Sequence, residues 1–232
     1  MMTPTAGLFM RAGLAFSAGL VAAPVTAAGW SAEIGAVNDY RYRGVSLSGG
    51  EPAVQASLSI EHDSGAYADL WGSSLAPDGD SHFEFDGTVG FAFDLGENLS
   101  ADLSATAYVY PGDSQANALE LTTQVEANHG PLTANLGLSL APPQRGTRDE
   151  QNRRRTNGYV FGGIEYALGD SPLSLHAGTG YELGPWDMTE DGGKWDWSLG
   201  AQADFTFARI ALDYVGSDAG DDGLVGSIAF RF

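Results

Sequence analysis

The sequence predicts an all-β fold, a transmembrane antiparallel up-and-down barrel of about twelve strands. Three observations predict it: alternating strands at regular spacing with no convincing helix after an export signal, a long and short rhythm in the links between strands, and a last strand that stops on an aromatic residue.

The first element is the export signal. Residues 1–28 carry one basic side chain, Arg11, then the apolar run 12–23, then Val25-Thr26-Ala27, which suits a small-residue cleavage site. We read residues 1–27 as a secretory signal peptide and residues 28–232 as the barrel. The run falls short of the roughly 20 residues a membrane helix needs. With no cysteine, the exported chain has neither a disulfide framework nor thiolate chemistry.

Composition agrees. Charged residues make up 18% of the chain, below the roughly 25% of soluble domains, as expected if much of the surface faces lipid. A formal charge of −19 excludes nucleic acid as a partner, because phosphate binding needs a basic face. Nothing in the sequence calls for a cofactor.

Strands are expected at 30–43, 53–62, 66–75, 82–94, 99–110, 118–128, 131–141, 157–168, 172–183, 194–207, 208–217 and 224–232. The number is even, as it must be for both ends of a bacterial barrel to emerge on the periplasmic side. Links after the even strands are short, as at Asp63-Ser64-Gly65 and His129-Gly130. Links after the odd strands are longer and rich in Gly, Pro or Asp: 44–52, 76–81, 111–117, 142–156, 184–193 and 218–223. Short periplasmic turns and long external loops have this rhythm.

Parity assigns the faces. In the fourth strand Phe83, Phe85, Val89, Phe91 and Phe93 share one side, and Glu84, Asp86 and Thr88 share the other. The first side suits lipid and the second water. Aromatics cluster where the two interfaces fall: Tyr40, Tyr42, Tyr181, Trp195, Trp197 and Tyr214 at external ends, and Trp30, Phe207, Phe230 and Phe232 among those at periplasmic ends.

On the water side the same parity places Asp39, Asp69, Glu84, Asp86, Asp102, Glu120, Glu126, Glu165, Glu182, Asp196, Asp204 and Asp213, with Glu33 and Glu61. Against them stand Arg41, Arg43, Lys194, Arg209 and Arg231, so acids outnumber bases roughly three to one. A water-filled pore with this lining attracts cations and repels anions; a plugged or narrow lumen would merely pair these charges. Twelve strands fall between eight-stranded barrels filled by side chains and 16-stranded barrels with a channel.

The longest loop breaks the acidic pattern. Arg145, Arg148, Arg153, Arg154 and Arg155 lie within 142–156. They suit the phosphates of outer-leaflet lipopolysaccharide, or the loop folds inward and pairs with the acidic wall, or it is simply a solvated flexible loop.

Asn38-Asp39-Tyr40-Arg41-Tyr42-Arg43-Gly44-Val45-Ser46, followed by Glu51-Pro52-Ala53-Val54-Gln55, resembles the opening motif of the TorF-family porins of proteobacteria, and 65–73 resembles that family's next hairpin. The likeness covers residues 30–95 and fades to strand rhythm and the aromatic terminus beyond. It implies an outer-membrane barrel with porin function and carries over no binding residue. On a continuous first strand, Asp39, Arg41 and Arg43 form three successive inward charges, a salt-bridge cluster rather than a ligand site.

Two other classes stay open. A barrel lipid hydrolase needs a nucleophile beside a histidine base; none of the four histidines sits in a recognisable Ser/His signature, and Ser174 and His176, on one inward face, are roughly 7 Å apart at the backbone. An adhesive or structural barrel would display its loops without conducting. Asp218, Asp221 and Asp222 read as a solvated turn rather than a metal loop. The reading is an outer-membrane diffusion channel for small polar solutes with cation preference and no catalytic step. Its partners are outer-membrane lipid, lipopolysaccharide, the barrel-assembly machinery and the solutes themselves.

Overall fold

The structure, a computed structural model, describes residues 29–77, 80–189 and 192–232. The expected signal peptide lies outside the described residues. Alternation of apolar and polar side chains gives twelve wall strands: β1 (Gly29–Val37), β4 (Ala53–Glu61), β5 (Ala66–Ser74), β6 (Phe83–Gly96), β7 (Leu99–Val109), β8 (Ala118–His129), β9 (Leu132–Ala141), β10 (Asn157–Ala167), β11 (Leu173–Leu183), β12 (Lys194–Asp204), β13 (Ala208–Ser217) and β14 (Gly220–Arg231). Two short strands, β2 (Arg41–Tyr42) and β3 (Val45–Ser46), pair only with each other. The wall strands form a closed antiparallel barrel in which each pairs with its sequence neighbour, and β14 returns to β1. The described residues contain no helix long and apolar enough to cross a membrane.

Closure is made by backbone pairing. Glu33 lies opposite Arg231 and Val37 opposite Ser227. The Ala32 and Phe232 amides and carbonyls pair reciprocally at 3.3 and 3.0 Å. No wall strand is therefore left with an open edge, which is the condition for strands to sit in hydrocarbon. At this rim Arg231 reaches Glu33 at 2.7 Å and also pairs with Asp204, while Asp204 takes Arg209 at 3.0 Å. These ion pairs tie β1, β12, β13 and β14 together at the short-turn end.

Packing is inverted relative to a soluble protein. Leu70, Leu136, Leu199 and Phe207 stand outward and are more than half exposed, whereas Glu84, Glu120, Glu182, Lys194 and Arg209 are among the most buried side chains. The apolar belt thus faces outward and the polar groups face each other, as the parity reading expects.

Three expectations are corrected. The first wall strand ends at Val37 rather than residue 43, because the chain turns inward after it. Asp39, Arg41 and Arg43 consequently sit on an inward hairpin and not in succession on the wall. Tyr40, 1% exposed, and Tyr42 on β2 belong to the same hairpin and to no lipid-facing girdle. The sixth long link shrinks to Asp218 and Ala219, because β14 starts at Gly220 and pairs across the turn with Ser217. Asp218 and Asp222 there accept hydrogen bonds from the Trp195 amide and the Tyr214 hydroxyl, and the described residues hold no cluster of acids and histidines placed for a metal.

The outward belt is directly testable. Leu136→Arg at mid-strand in β9 lowers stability in lipid vesicles by about 2–4 kcal/mol, measured as a shift in the denaturant midpoint of the refolded barrel.

Candidate functional site

The inward hairpin grows from its own sequence. At its root, the Asn38 side chain donates to the Leu224 carbonyl at 3.0 Å and accepts from the Gly226 amide at 2.6 Å, fixing the exit from β1 against β14. The Asp39 carboxylate then accepts from Arg41 Nε at 2.6 Å, Ser46 Oγ at 2.5 Å and Ser48 Oγ at 3.3 Å, so one acid staples both arms. The Leu47 amide closes the hairpin on the Tyr40 carbonyl at 2.7 Å. Tyr40 packs with Val37, Ala53, Val215 and Val225, with Leu47, Trp71 and Leu75 against them, a small apolar plug inside the barrel.

Arg43 and Gly44 form the tip, with φ of 47° and 82°. Two left-handed central residues make the tight turn that matches strand twist. Gly44 is required twice over, since a Cβ there would also collide with the Gly216 carbonyl oxygen. The conformation of Arg43 costs about 1–3 kcal/mol of backbone strain, so something across the barrel must hold it.

That holder is the far wall. Arg43 Nη2 lies 2.8 Å from both Glu120 oxygens on β8, and Nη1 pairs with Glu182 on β11. Glu182 also takes Lys194 Nζ at 2.8 Å and Asn157 Nδ2 at 3.0 Å, and Glu120 takes the Tyr108 hydroxyl at 3.0 Å. The guanidinium lies 4.0 Å from the Tyr159 ring centroid, 4.7 Å from Tyr42 and 5.8 Å from Trp186. Glycine at 180 makes room for the Tyr159 ring, whose hydroxyl a Cβ there would strike. Nearer the root, the Tyr40 and Tyr110 hydroxyls donate to Glu84 at 2.9 and 2.5 Å. Because β8 and β11 flank the side of the ring opposite β1, the hairpin spans the lumen at the long-loop end.

The remaining candidates fall at inward positions by strand parity: Asp69, Asp86, Asp102, Glu126, Glu165, Asp196, Asp204 and Asp213. Their distribution is lopsided. The seven strands β4 to β10 contain no Lys or Arg, whereas Lys194, Arg209 and Arg231 all stand on β12 to β14. One arc of the wall is therefore acidic and the opposite arc is mixed. His176 on β11 pairs with Asp213 on β13, and Ser174 is buried two positions from it.

The arginine loop does not supply the inward element. Arg145, Arg153, Arg154 and Arg155 are exposed, and Arg148 is half-buried with Nη1 donating to Asn152 at 2.7 Å. Arg153 pairs with Asp149 at 2.8 Å within the loop, which holds the Asp149 carboxyl below its ordinary value. Tyr108, Asn157, Tyr159 and Trp186 escaped sequence reasoning. For the first three the available signal was polar or aromatic character at an inward position beside outward Ala107, Gly158 and Val160; for Trp186, in a loop, there was none.

A family model described as "Bacterial protein of unknown function (Gcw_chp)" matches residues 21–231. The chain belongs to this family. For this Gcw_chp protein no curated protein matches. Among solved structures, the KdgM porin aligns over 87% of this chain and 99% of its own at 9% identity and a TM-score of 0.63. The KdgM porin in complex with disordered oligogalacturonate aligns over 87% and 98% at 9% identity and a TM-score of 0.61. The NanC porin aligns over 88% and 98% at 10% identity and a TM-score of 0.58. At such identities the shared property is the barrel fold. The Gcw_chp chain thus has the fold of outer-membrane porins.

Gly44→Val tests how the Gcw_chp hairpin is seated. The strain it adds, about 1–3 kcal/mol, corresponds to about 5- to 150-fold faster thiol labelling of a Ser48→Cys reporter in this cysteine-free chain. Labelling kinetics with and without the valine give the ratio.

Proposed function

We propose that the protein is a bacterial outer-membrane channel through which small polar solutes diffuse passively, with a preference for cations and no catalytic step. The observation that carries this reading is the inner arc from β4 to β10, which bears Glu84, Asp86, Asp102, Glu120 and Glu126 and no basic side chain. A low-dielectric wall focuses such a field into the lumen, so cations concentrate along it and anions are repelled. The porin-like fold and the resemblance of residues 38–46 to TorF-family porins support the same reading.

In this reading residues 1–27 direct export, the short turns face the periplasm and the long loops face outward. The exposed arginines of 142–156 then meet lipopolysaccharide phosphates, to which guanidinium binds well. The barrel-assembly machinery is then the partner that inserts the barrel.

One observation favours a second reading. The hairpin carrying Arg43 lies across the lumen, which suits a non-conducting structural or adhesive barrel. Planar-bilayer recording under a potassium chloride gradient separates the two. The channel reading expects discrete steps with a cation-selective reversal potential, and Glu84→Gln with Asp86→Asn moves that potential toward zero. A correctly folded barrel that stays silent, or one whose reversal potential ignores these substitutions, contradicts it.

A further inference from the structure

We propose that the cage holding the Arg43 side chain is a binding site for guanidinium-bearing solutes, with the hairpin tip as its resident competitor. The cage belongs mostly to the wall: Glu120 on β8, Tyr159 on β10, Glu182 on β11 and Asp196 on β12, with Trp186 from the loop between β11 and β12. If the hairpin leaves, these groups stay where strand pairing puts them. What remains, among the described residues, is three carboxylates facing one cation, Lys194, which is already engaged by Glu182 at 2.8 Å. Glu120 and Glu182 are 1% and 0% exposed. Buried carboxylates stripped of a partner are strongly unfavourable, so the emptied cage demands a cation.

The shape of the cage selects which cation. Arg43 offers Nη1 to one carboxylate and Nη2 to another while its flat face lies over Tyr159. A planar fork satisfies all three contacts at once, whereas an ammonium is a compact point charge that cannot. An acceptor is left over: Asp196 is 8% exposed, its Oδ1 takes the Tyr159 hydroxyl, and its Oδ2 has no hydrogen-bond partner among the described residues. Arg43 Nε, also buried, has none among the described residues either. A guanidinium free of the chain can rotate to use a third N–H, which the tethered side chain does not achieve.

The tether cuts both ways. It gives Arg43 a high effective concentration, but it holds the residue in the left-handed region, at φ 47°. That strain weakens the competitor and makes it displaceable. Binding at the cage stands without conduction; that displacement widens a passage rests on the channel reading above.

The test uses the mature refolded protein in detergent, with methylguanidinium, methylammonium and tetramethylammonium chlorides at constant ionic strength. Tryptophan fluorescence of Arg43→Ala is expected to saturate with methylguanidinium at concentrations about tenfold below those of the other two, and Glu120→Gln in the same background removes the preference. In the otherwise unaltered hairpin carrying the Ser48→Cys reporter, methylguanidinium, unlike methylammonium, speeds thiol labelling. Equal binding of the three cations by Arg43→Ala, or a preference that survives Glu120→Gln, overturns the proposal. Should Arg43→Ala fail to fold, equal labelling rates of the Ser48→Cys reporter with methylguanidinium and methylammonium overturn it instead. Neither readout depends on current, so a silent bilayer would remove the channel reading and leave this one standing.

Discussion

One contact governs the interior of this barrel: the guanidinium of Arg43 held between Glu120 and Glu182. The hairpin behind it has a strained tip and a small apolar patch of its own, too little to fold independently in water. Two carboxylates across the lumen hold it down, and the hairpin in turn neutralises charges that the wall could not otherwise bury. Each side therefore needs the other. A protein that merely required a rigid barrel could have met the inner wall with water and small side chains, as it does along Thr88, Thr106, Thr122 and Ser139, whose hydroxyls pair across strands.

The lopsided charge gives that contact its significance. Basic wall residues gather on β12 to β14, where Arg209 and Arg231 answer Asp204 and Glu33 at the short-turn rim. The arc from β4 to β10 has no such answer of its own. The hairpin delivers Arg43 to one end of that arc. It brings Arg41 only as far as Asp39 and the β14 backbone, and strands β4 to β10 supply no Lys or Arg of their own. Any solute passing the hairpin travels beside that surface.

The barrel itself was legible because its signal is periodic. Two-residue alternation, as in Phe83 to Phe93, and turn-forming links such as Asp63-Ser64-Gly65 identify wall strands whatever the lumen contains. The hairpin was hidden by the same periodicity. Asn38-Asp39-Tyr40-Arg41-Tyr42-Arg43 alternates as well as any wall strand, and alternation does not say whether a strand continues in the wall or folds back inside it. The information that decides it is non-local: Glu120 and Glu182 lie far along the chain and meet Arg43 only once the barrel has closed. The arginine loop misled for a related reason. Its charge density suggests an inward partner for the acids, yet Arg153 finds Asp149 four residues away, and it is Arg43 on the β2–β3 hairpin that reaches Glu120 and Glu182. The short turn at Asp218 and Ala219 looks like a longer loop in sequence because acidic and glycine-rich residues also begin β14.

The Arg43 latch holds the hairpin as an obstruction across the lumen. Single-channel step size in planar bilayers, compared between the wild-type protein and Arg43→Ala in the same potassium chloride solution, tests it most directly. Larger steps are expected for Arg43→Ala, because the released hairpin no longer spans the barrel. Steps of equal size from two correctly folded proteins would contradict it and return the hairpin to the status of a wall ornament.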